Sequence, residues 1–247
     1  MFDFLKPKKS KRKQVLPLFV DIHSHLLPGI DDGAQTITES LDLLYHFEAL
    51  GYKKVITTPH IVQDFYPNTP SVILQKLKEV QEAATENNLK IRIEAAAEYY
   101  LDEYFYALLD QPDQLLTFGK NYILFETGFI NQPAILFEAI FKMKAQGLQP
   151  ILAHPERYAY LQGNYSLAPE IAERGALFQI NMNSLTGYYS PAAKKTAEKL
   201  IDEGLVSFAG TDMHNMRHME NLRDAINTKY FDKLLDQGIL NNTLYDS

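Results

Sequence analysis

The chain has 247 residues, 46% of them apolar, enough to bury a substantial core as one large domain or two small ones. Its formal charge of −7 argues against a nucleic-acid surface. It contains no cysteine, which excludes disulfides, thiolate metal sites, protein-held iron–sulfur clusters and a thiolate nucleophile, and which fits a reducing cytoplasm.

Residues 1–17 are expected to be a basic, disordered tail. The run Lys6-Pro7-Lys8-Lys9-Ser10-Lys11-Arg12-Lys13 has no apolar segment of signal-peptide length after it, and no later stretch is long enough to span a membrane. The tail suits at most a weak, peripheral hold on anionic lipid or an acidic partner. The folded domain is expected over 18–247.

Leu18 to Ile22 is apolar and β-branched enough for a buried strand, and it runs into His23-Ser24-His25. Alternation along an extended chain points both histidines to one side, where two imidazoles can grip one metal ion. Pro28, Gly29 and the Asp31-Asp32-Gly33 turn then fold the chain back, which can bring a carboxylate near. Thr36 to Leu50 reads as an amphipathic helix with Ile37, Leu41, Leu44 and Phe47 on one face, a Thr36/Glu39 capping box and Gly51 as its stop.

Lys54 to Thr58 is the second strand, leading to Pro59-His60. Thr69-Pro70 opens a helix that runs to about Asn88. Lys90 to Ala96 is the third strand, ending at Glu98, and a short helix covers Asp102 to Leu109. Tyr122 to Phe125 is the fourth strand, ending at Glu126, with a helix from Pro133 to Gly147. Pro150 to Ala153 is the fifth, ending His154-Pro155-Glu156-Arg157, with a helix near Ala168 to Arg174. Leu177 to Ile180 is the sixth, ending at Asn181, with a helix from Pro191 to Glu203. Val206 to Ala209 is the seventh, ending Gly210-Thr211-Asp212-Met213-His214, and two short helices close the chain. Strands alternating with helices give parallel βα units, and seven of them favour a closed, irregular α/β barrel over a doubly wound open sheet.

The ionisable residues recur at the strand ends. His23 and His25 follow the first strand, His60 the second, Glu98 the third, Glu126 the fourth, His154 the fifth, and Asp212 with His214 the seventh. In a parallel barrel these points share one rim, where active sites form. His46 and His218 lie in helical stretches and read as surface or satisfied residues. Each rim residue alone has an ordinary reading: Glu98 as a helix cap, Glu126 paired with a lysine, Asp212 and His214 as a turn, Arg157 paired with Glu156 or Asp212. Together they point to a metal centre, because so many imidazoles and carboxylates on one rim otherwise repel or bear desolvation costs. Such ligands suit zinc, manganese or iron, and carboxylates can bridge two ions.

The motifs His23-Ser24-His25, Thr58-Pro59-His60, Ala97-Glu98, Glu126, His154-Pro155-Glu156-Arg157 and Gly210-Thr211-Asp212-Met213-His214 resemble the polymerase and histidinol phosphatase (PHP) superfamily. Phe19 to His25 with Asp31-Asp32-Gly33, and His154 to Tyr158, more closely resemble the bacterial manganese-dependent protein-tyrosine phosphatases of capsule and exopolysaccharide loci. The likeness covers about Leu18 to Tyr230. It implies a single-domain distorted (β/α)7 barrel holding three divalent ions, manganese first, with iron, zinc or cobalt as alternatives. His23, His25 and Asp212 would hold one ion. Glu98 would bridge it to a second, completed by Glu126 and His154. Asp32, His60 and His214 would hold the third, with Asp31 as the neighbouring alternative to Asp32. Arg157 matches the family's phosphate-binding arginine, giving it a catalytic and substrate-binding role.

The same resemblance implies hydrolysis of phosphotyrosine by hydroxide formed from metal-bound water near neutral pH. The implied substrate is the tyrosine-rich C-terminal tail of a bacterial tyrosine kinase that controls polysaccharide export. A tyrosine leaving group has a pKa near 10 and needs little protonation, so no general acid is assigned. The aromatic clusters Tyr99-Tyr100, Tyr104-Phe105-Tyr106, Phe129 and Tyr188-Tyr189 can form a wall for the substrate ring or simply pack the core. Competing functions are a histidinol-phosphate-type small-molecule phosphatase, a nuclease or proofreading domain, and a metal-stabilised scaffold that binds a partner without catalysis.

Overall fold

A computed structural model describes residues 16–246. The basic run Lys6 to Lys13 lies outside the described residues. The expected boundary after residue 17 needs one correction. Leu16 is buried and its N–H donates to Leu50 O at 2.8 Å, so the packed chain already includes it.

The strands are β1 (Val20–Asp21), β2 (Lys54–Thr57), β3 (His60–Ile61), β4 (Arg92–Ala95), β5 (Glu98–Tyr100), β6 (Tyr122–Glu126), β7 (Gln149–Ala153), β8 (Leu177–Asn181) and β9 (Val206–Gly210). All pairings between them are parallel, in the orders β1-β2-β4 and β3-β5-β6-β7-β8-β9. The expected second and third strands are each broken in two. Pro59 has no N–H to continue a ladder, so the second strand stops at Thr57 and resumes at His60. Its neighbour breaks at Ala96-Ala97, and two bonds bridge the interruption: Ala96 N to Thr57 O at 2.9 Å and Glu98 N to Pro59 O at 3.1 Å. His60 and Glu98 are thus directly paired strand residues, not loop residues.

The barrel closes where the chain after β9 meets the chain after β1. Asp212 N donates to His23 O at 2.8 Å and His25 N to Met213 O at 2.9 Å. Below this point side chains make the seam. Asn241 Nδ2 donates to Val20 O and Ala209 O, at 3.0 and 2.7 Å, while its Oδ1 accepts from Ala209 N at 3.0 Å. The Asp21 carboxylate accepts from Thr211 N and Oγ1, at 2.9 and 3.1 Å. This is the distorted single-domain barrel the sequence predicts.

Val20, Ile22, Ile56, Leu124, Ile151 and Phe208 fill the interior, and Phe118 and Leu244 join them from the segments below. Helices cover the outside. In Ile37–Leu50 the Thr36 hydroxyl accepts from Glu39 N, and Gly51 ends the helix at φ 102°, a left-handed conformation that glycine adopts freely. Leu43, Leu44, Phe47 and Leu50 are its buried face, with Ile37 and Leu41 only partly covered. Each such fully buried side chain stabilises the fold by about 1.5–3 kcal/mol. Among the described residues, no helix is long and apolar enough to cross a membrane.

Candidate active site

The strand ends bring the expected residues to one rim. His23 and His25 are fully buried with their Nε2 atoms 3.3 Å apart. Each ring is held from behind. His23 Nδ1 bonds to Gln179 Oε1 at 2.7 Å and His25 Nδ1 to Asp31 Oδ2 at 2.8 Å. Both partners are oxygen acceptors, so Nδ1 donates to each and Nε2 is the nitrogen turned to the centre. There His23 Nε2 meets Glu98 Oε2 at 3.0 Å and Asp212 Oδ1 at 3.4 Å, and His25 Nε2 lies 3.4 Å from both.

Glu98 sits in the middle. Its Oε1 lies 3.0 Å from His154 Nε2, and its Oε2 lies 3.3 Å from His60 Nδ1. Glu126 approaches the same two imidazoles, at 3.2 Å from His60 and 3.9 Å from His154. On the open side, Asp32 Oδ1 lies 3.5 Å from His60 Nε2 and 3.4 Å from His214 Nε2. Asp31 is engaged elsewhere: besides His25, it accepts from Gly33 N at 3.0 Å and His60 N at 3.2 Å. Asp31 therefore orients, while Asp32 faces the ring nitrogens.

Among the described residues, four overlapping groups gather donors within 4.8 Å: His25, Asp32, His60 and His214; His23, His154 and Asp212; His23, His25 and Glu98; His60, Glu98 and Glu126. All nine residues expected as ligands occur in them. Every donor is imidazole nitrogen or carboxylate oxygen, and His60 Nδ1 and His154 Nδ1 are buried with no hydrogen-bond partner. This set fits divalent metal binding. The electrostatics agree. Burial opposes a charge on His23, but Glu98 and Asp212 outweigh it and raise its pKa to about 9. Burial likewise opposes ionisation of Glu98 and Asp212, yet the imidazoles hold both well below the usual carboxylate range. The cluster strongly favours anionic carboxylates beside a positive charge.

The backbone is bent to make this convergence. His154 and Asp212 have φ of 32° and 49°, left-handed values that cost a non-glycine residue about 1–3 kcal/mol. The Asp212 carbonyl is held by His214 Nδ1 and His218 Nδ1, each at 2.9 Å. Gly210 permits the closest approach. A Cβ there would lie 2.5 Å from Gln179 Nε2 and 2.7 Å from His23 Cβ.

Arg157 NH1 donates to Asp212 Oδ2 at 2.9 Å, and its guanidinium lies over the rings of Phe129 and Tyr189, 4.8 and 4.3 Å from their centroids. Glu156 turns away and accepts from Asn181 N and Ser184 Oγ, at 2.9 and 2.6 Å. Asp212 divides its two oxygens. Oδ1 faces the imidazoles, and Oδ2 takes Arg157 together with Asn181 Nδ2 at 2.6 Å and the Tyr189 hydroxyl at 3.3 Å. A cleft of about 360 Å³ opens above, with Asp32, His60, His154, Phe129, Arg157 and Tyr189 in its wall.

Of the aromatic clusters, Phe129 and Tyr189 reach the cleft, whereas Tyr99 and Phe105 stack on each other in the core. His46 is half-buried and bonds the Asp42 carbonyl, an ordinary satisfied role. His218 is satisfied by its bond to the Asp212 carbonyl, and it also lines the cleft, its ring centroid 5.3 Å from that of His214. Gln179 and Asn181, both fully buried, are the contribution of the sixth expected strand, which the ionisable residues passed over. A polar residue inside a buried apolar strand marks them.

The sequence model of the family described as capsular polysaccharide synthesis, CpsB/CapC, matches residues 19–245. The chain belongs to the CpsB/CapC family. It is 28% identical over 202 residues to the tyrosine-protein phosphatase YwqE of Bacillus subtilis, a match covering 80% of this chain and 78% of that protein. It is 27% identical over 197 residues to a protein of Staphylococcus aureus named as a putative tyrosine-protein phosphatase, CapC, covering 80% and 77%. A solved structure from the pair YwqE of B. subtilis and CpsB of Streptococcus pneumoniae, described as unique metal-dependent tyrosine phosphatases, superposes with a TM-score of 0.80 at 24% identity. That likeness covers 92% of this chain and 94% of the other and shows that this CpsB/CapC chain shares the fold.

Proposed function

We propose that this chain is a cytoplasmic, metal-dependent protein-tyrosine phosphatase acting on the tail of a bacterial tyrosine kinase that regulates capsular or exopolysaccharide synthesis. The observation that carries this reading is the convergence of nine imidazole and carboxylate side chains with Arg157 at one open cleft. The naming of CpsB/CapC relatives as tyrosine-protein phosphatases supports the substrate class. The lack of any cysteine in the chain rules out a thiolate nucleophile here.

In this reading three divalent ions, manganese first among them, would be held by His23, His25 and Asp212, by Glu98, Glu126 and His154, and by Asp32, His60 and His214. When bound, such ions supply a water nucleophile at neutral pH and neutralise phosphoryl charge. The chain's own residues do the rest. Gln179 and Asp31 keep His23 and His25 in the tautomer whose Nε2 accepts. Arg157 keeps one N–H on Asp212 and has further donors for phosphoryl oxygens, which its planar fork suits better than a lysine. Phe129 and Tyr189 hold the guanidinium in place and give the substrate ring an aromatic wall. The tyrosinate that leaves needs little protonation, so no acid of the chain is assigned to it.

The test is phosphate release by metal-stripped protein reloaded with Mn²⁺, Zn²⁺ or Mg²⁺, on a phosphotyrosine peptide, a phosphoserine peptide and histidinol phosphate. Metal-dependent release from the phosphotyrosine peptide is expected, falling about 10²–10³-fold in Arg157→Ala and abolished in His154→Ala. Preference for histidinol phosphate would keep the chemistry and replace the substrate class. Metal uptake without release from any substrate would leave the partner-binding scaffold.

A further inference from the structure

Two loops at the mouth of the cleft hold large apolar side chains in water. The loop after β3 is a tight turn in which Tyr66 N donates to Val62 O at 2.8 Å and Val62 N to Tyr66 O at 3.0 Å. It is fastened to the site. The Tyr66 ring stacks on His60, centroids 5.7 Å apart and planes 14° apart, and Asn68 Nδ2 donates to His60 O at 2.9 Å. Phe65, within this turn, is nevertheless 78% exposed. The loop after β6 is also pinned. Thr127 N donates to the Tyr158 hydroxyl at 3.1 Å, and Ala159 N to Phe129 O at 2.7 Å. Ile130, next to the cleft-lining Phe129, is 71% exposed.

Scattered apolar residues on a surface are ordinary, but here two sit on loops fastened to residues of the same cleft, Phe65 through Tyr66 on His60 and Ile130 beside Phe129. β3 and β6 are separated in the sheet only by β5, so their loops rise about 10 Å apart. An extended peptide covers that span with about three residues. A chain that places a phosphotyrosine in the cleft can lay its neighbours across this rim. The exposed Asp64 beside Phe65 and the net charge of −7 disfavour acidic neighbours, and the exposed Phe65 and Ile130 give apolar neighbours a surface to cover.

We propose that Phe65 and Ile130 are specificity residues that receive apolar side chains within about three residues of the phosphotyrosine in a protein substrate. This rests on the phosphatase reading.

The test uses the full-length, metal-loaded protein with free phosphotyrosine and two phosphotyrosyl peptides, one with leucine two residues to either side and one with glycine and serine there. Wild type should favour the leucine peptide about tenfold in kcat/KM. The double variant Phe65→Ser/Ile130→Ser should lose that preference through KM, with turnover of free phosphotyrosine unchanged. Equal wild-type rates on the two peptides, with free phosphotyrosine still hydrolysed, would overturn the inference and leave the phosphatase reading standing. So would an equal loss on all three substrates in the variant. No release from any of the three by wild type would overturn the phosphatase reading and this inference with it.

Discussion

The two ends of the barrel bury polar groups in opposite ways. At the lower end the buried polar side chains are paired within the chain, with the Tyr52 hydroxyl as the exception. The fully buried Lys54 Nζ meets Glu94 Oε1 and Leu244 O, both at 2.9 Å, and Asn241 satisfies three backbone groups of β1 and β9. At the upper end, carboxylates crowd imidazoles, two imidazole Nδ1 atoms have no hydrogen-bond partner, and two residues sit at left-handed φ. The lower end is satisfied by the chain alone and gives stability. The upper end concentrates charge that a cation balances, and it gives chemistry. Substitutions at the two ends should therefore separate stability from activity.

Asp212→Ala should have the largest effect on activity. It removes the oxygen facing His23 and His25 and also the anchor of Arg157, so kcat/KM on a phosphotyrosine peptide should fall by at least about 10³-fold. A loss below tenfold would mean that Asp212 is only a scaffold residue. Asn241→Ala is the counterpart at the lower end. It strands Val20 O, Ala209 O and Ala209 N, each worth about 1–3 kcal/mol when buried without a partner, so urea denaturation should report a loss of about 3 kcal/mol or more. Metal affinity of the folded fraction should not change. If it does, the two ends are coupled through β1 and β9, and the separation fails.

This division also explains what the sequence could convey. Strand and helix order were legible because βα alternation, Thr36 with Glu39, Thr69-Pro70 and Gly51 are local signals. The rim residues were legible because parallel strands put their ends on one side. The breaks at Pro59 and Ala96-Ala97 were harder to see. They depend on which neighbour each strand pairs with, and that is set by tertiary packing. Asn241 was invisible because its role needs β1 and β9 to be neighbours, though they lie at opposite ends of the folded chain, and Asn241 to reach Val20, 221 residues away. Gln179 and Asn181 escaped because amides do not titrate, and a search for charge overlooks them. The phosphate-binding role expected of Arg157 came only from the family resemblance; its place between Phe129 and Tyr189 follows from the fold.

Gln179→Leu sharpens the comparison at the upper end with a smaller effect. The substitution keeps the volume but removes the oxygen that accepts from His23 Nδ1, so the ring is free to turn or to take the other tautomer. Losing such an orienting contact should weaken metal affinity about 10–100-fold, measured by competition with a chelator. Gln179→Glu, which keeps an acceptor, should retain most of it. Equal losses in both variants would assign Gln179 to packing beside Gly210 and not to orienting His23.

The smallest effect is expected at Tyr52, whose hydroxyl is buried without a hydrogen-bond partner, an exception to the satisfied polar groups away from the rim. Burial, reinforced by Asp21, pushes its pKa well above the ordinary tyrosine value. The folded state therefore keeps a proton that the unfolded chain gives up first. The sign follows: this group leaves stability unchanged below about pH 10 and lowers it as pH rises further, towards the folded-state value. Tyr52→Phe should gain about 1 kcal/mol at pH 8, from removal of an unpaired buried hydroxyl, and should lose stability less steeply than wild type above pH 10. Urea midpoints from pH 8 to 11 read both. A variant less stable at pH 8 would show that the hydroxyl has a partner, such as a buried water, and that this side of the barrel has no unsatisfied group after all.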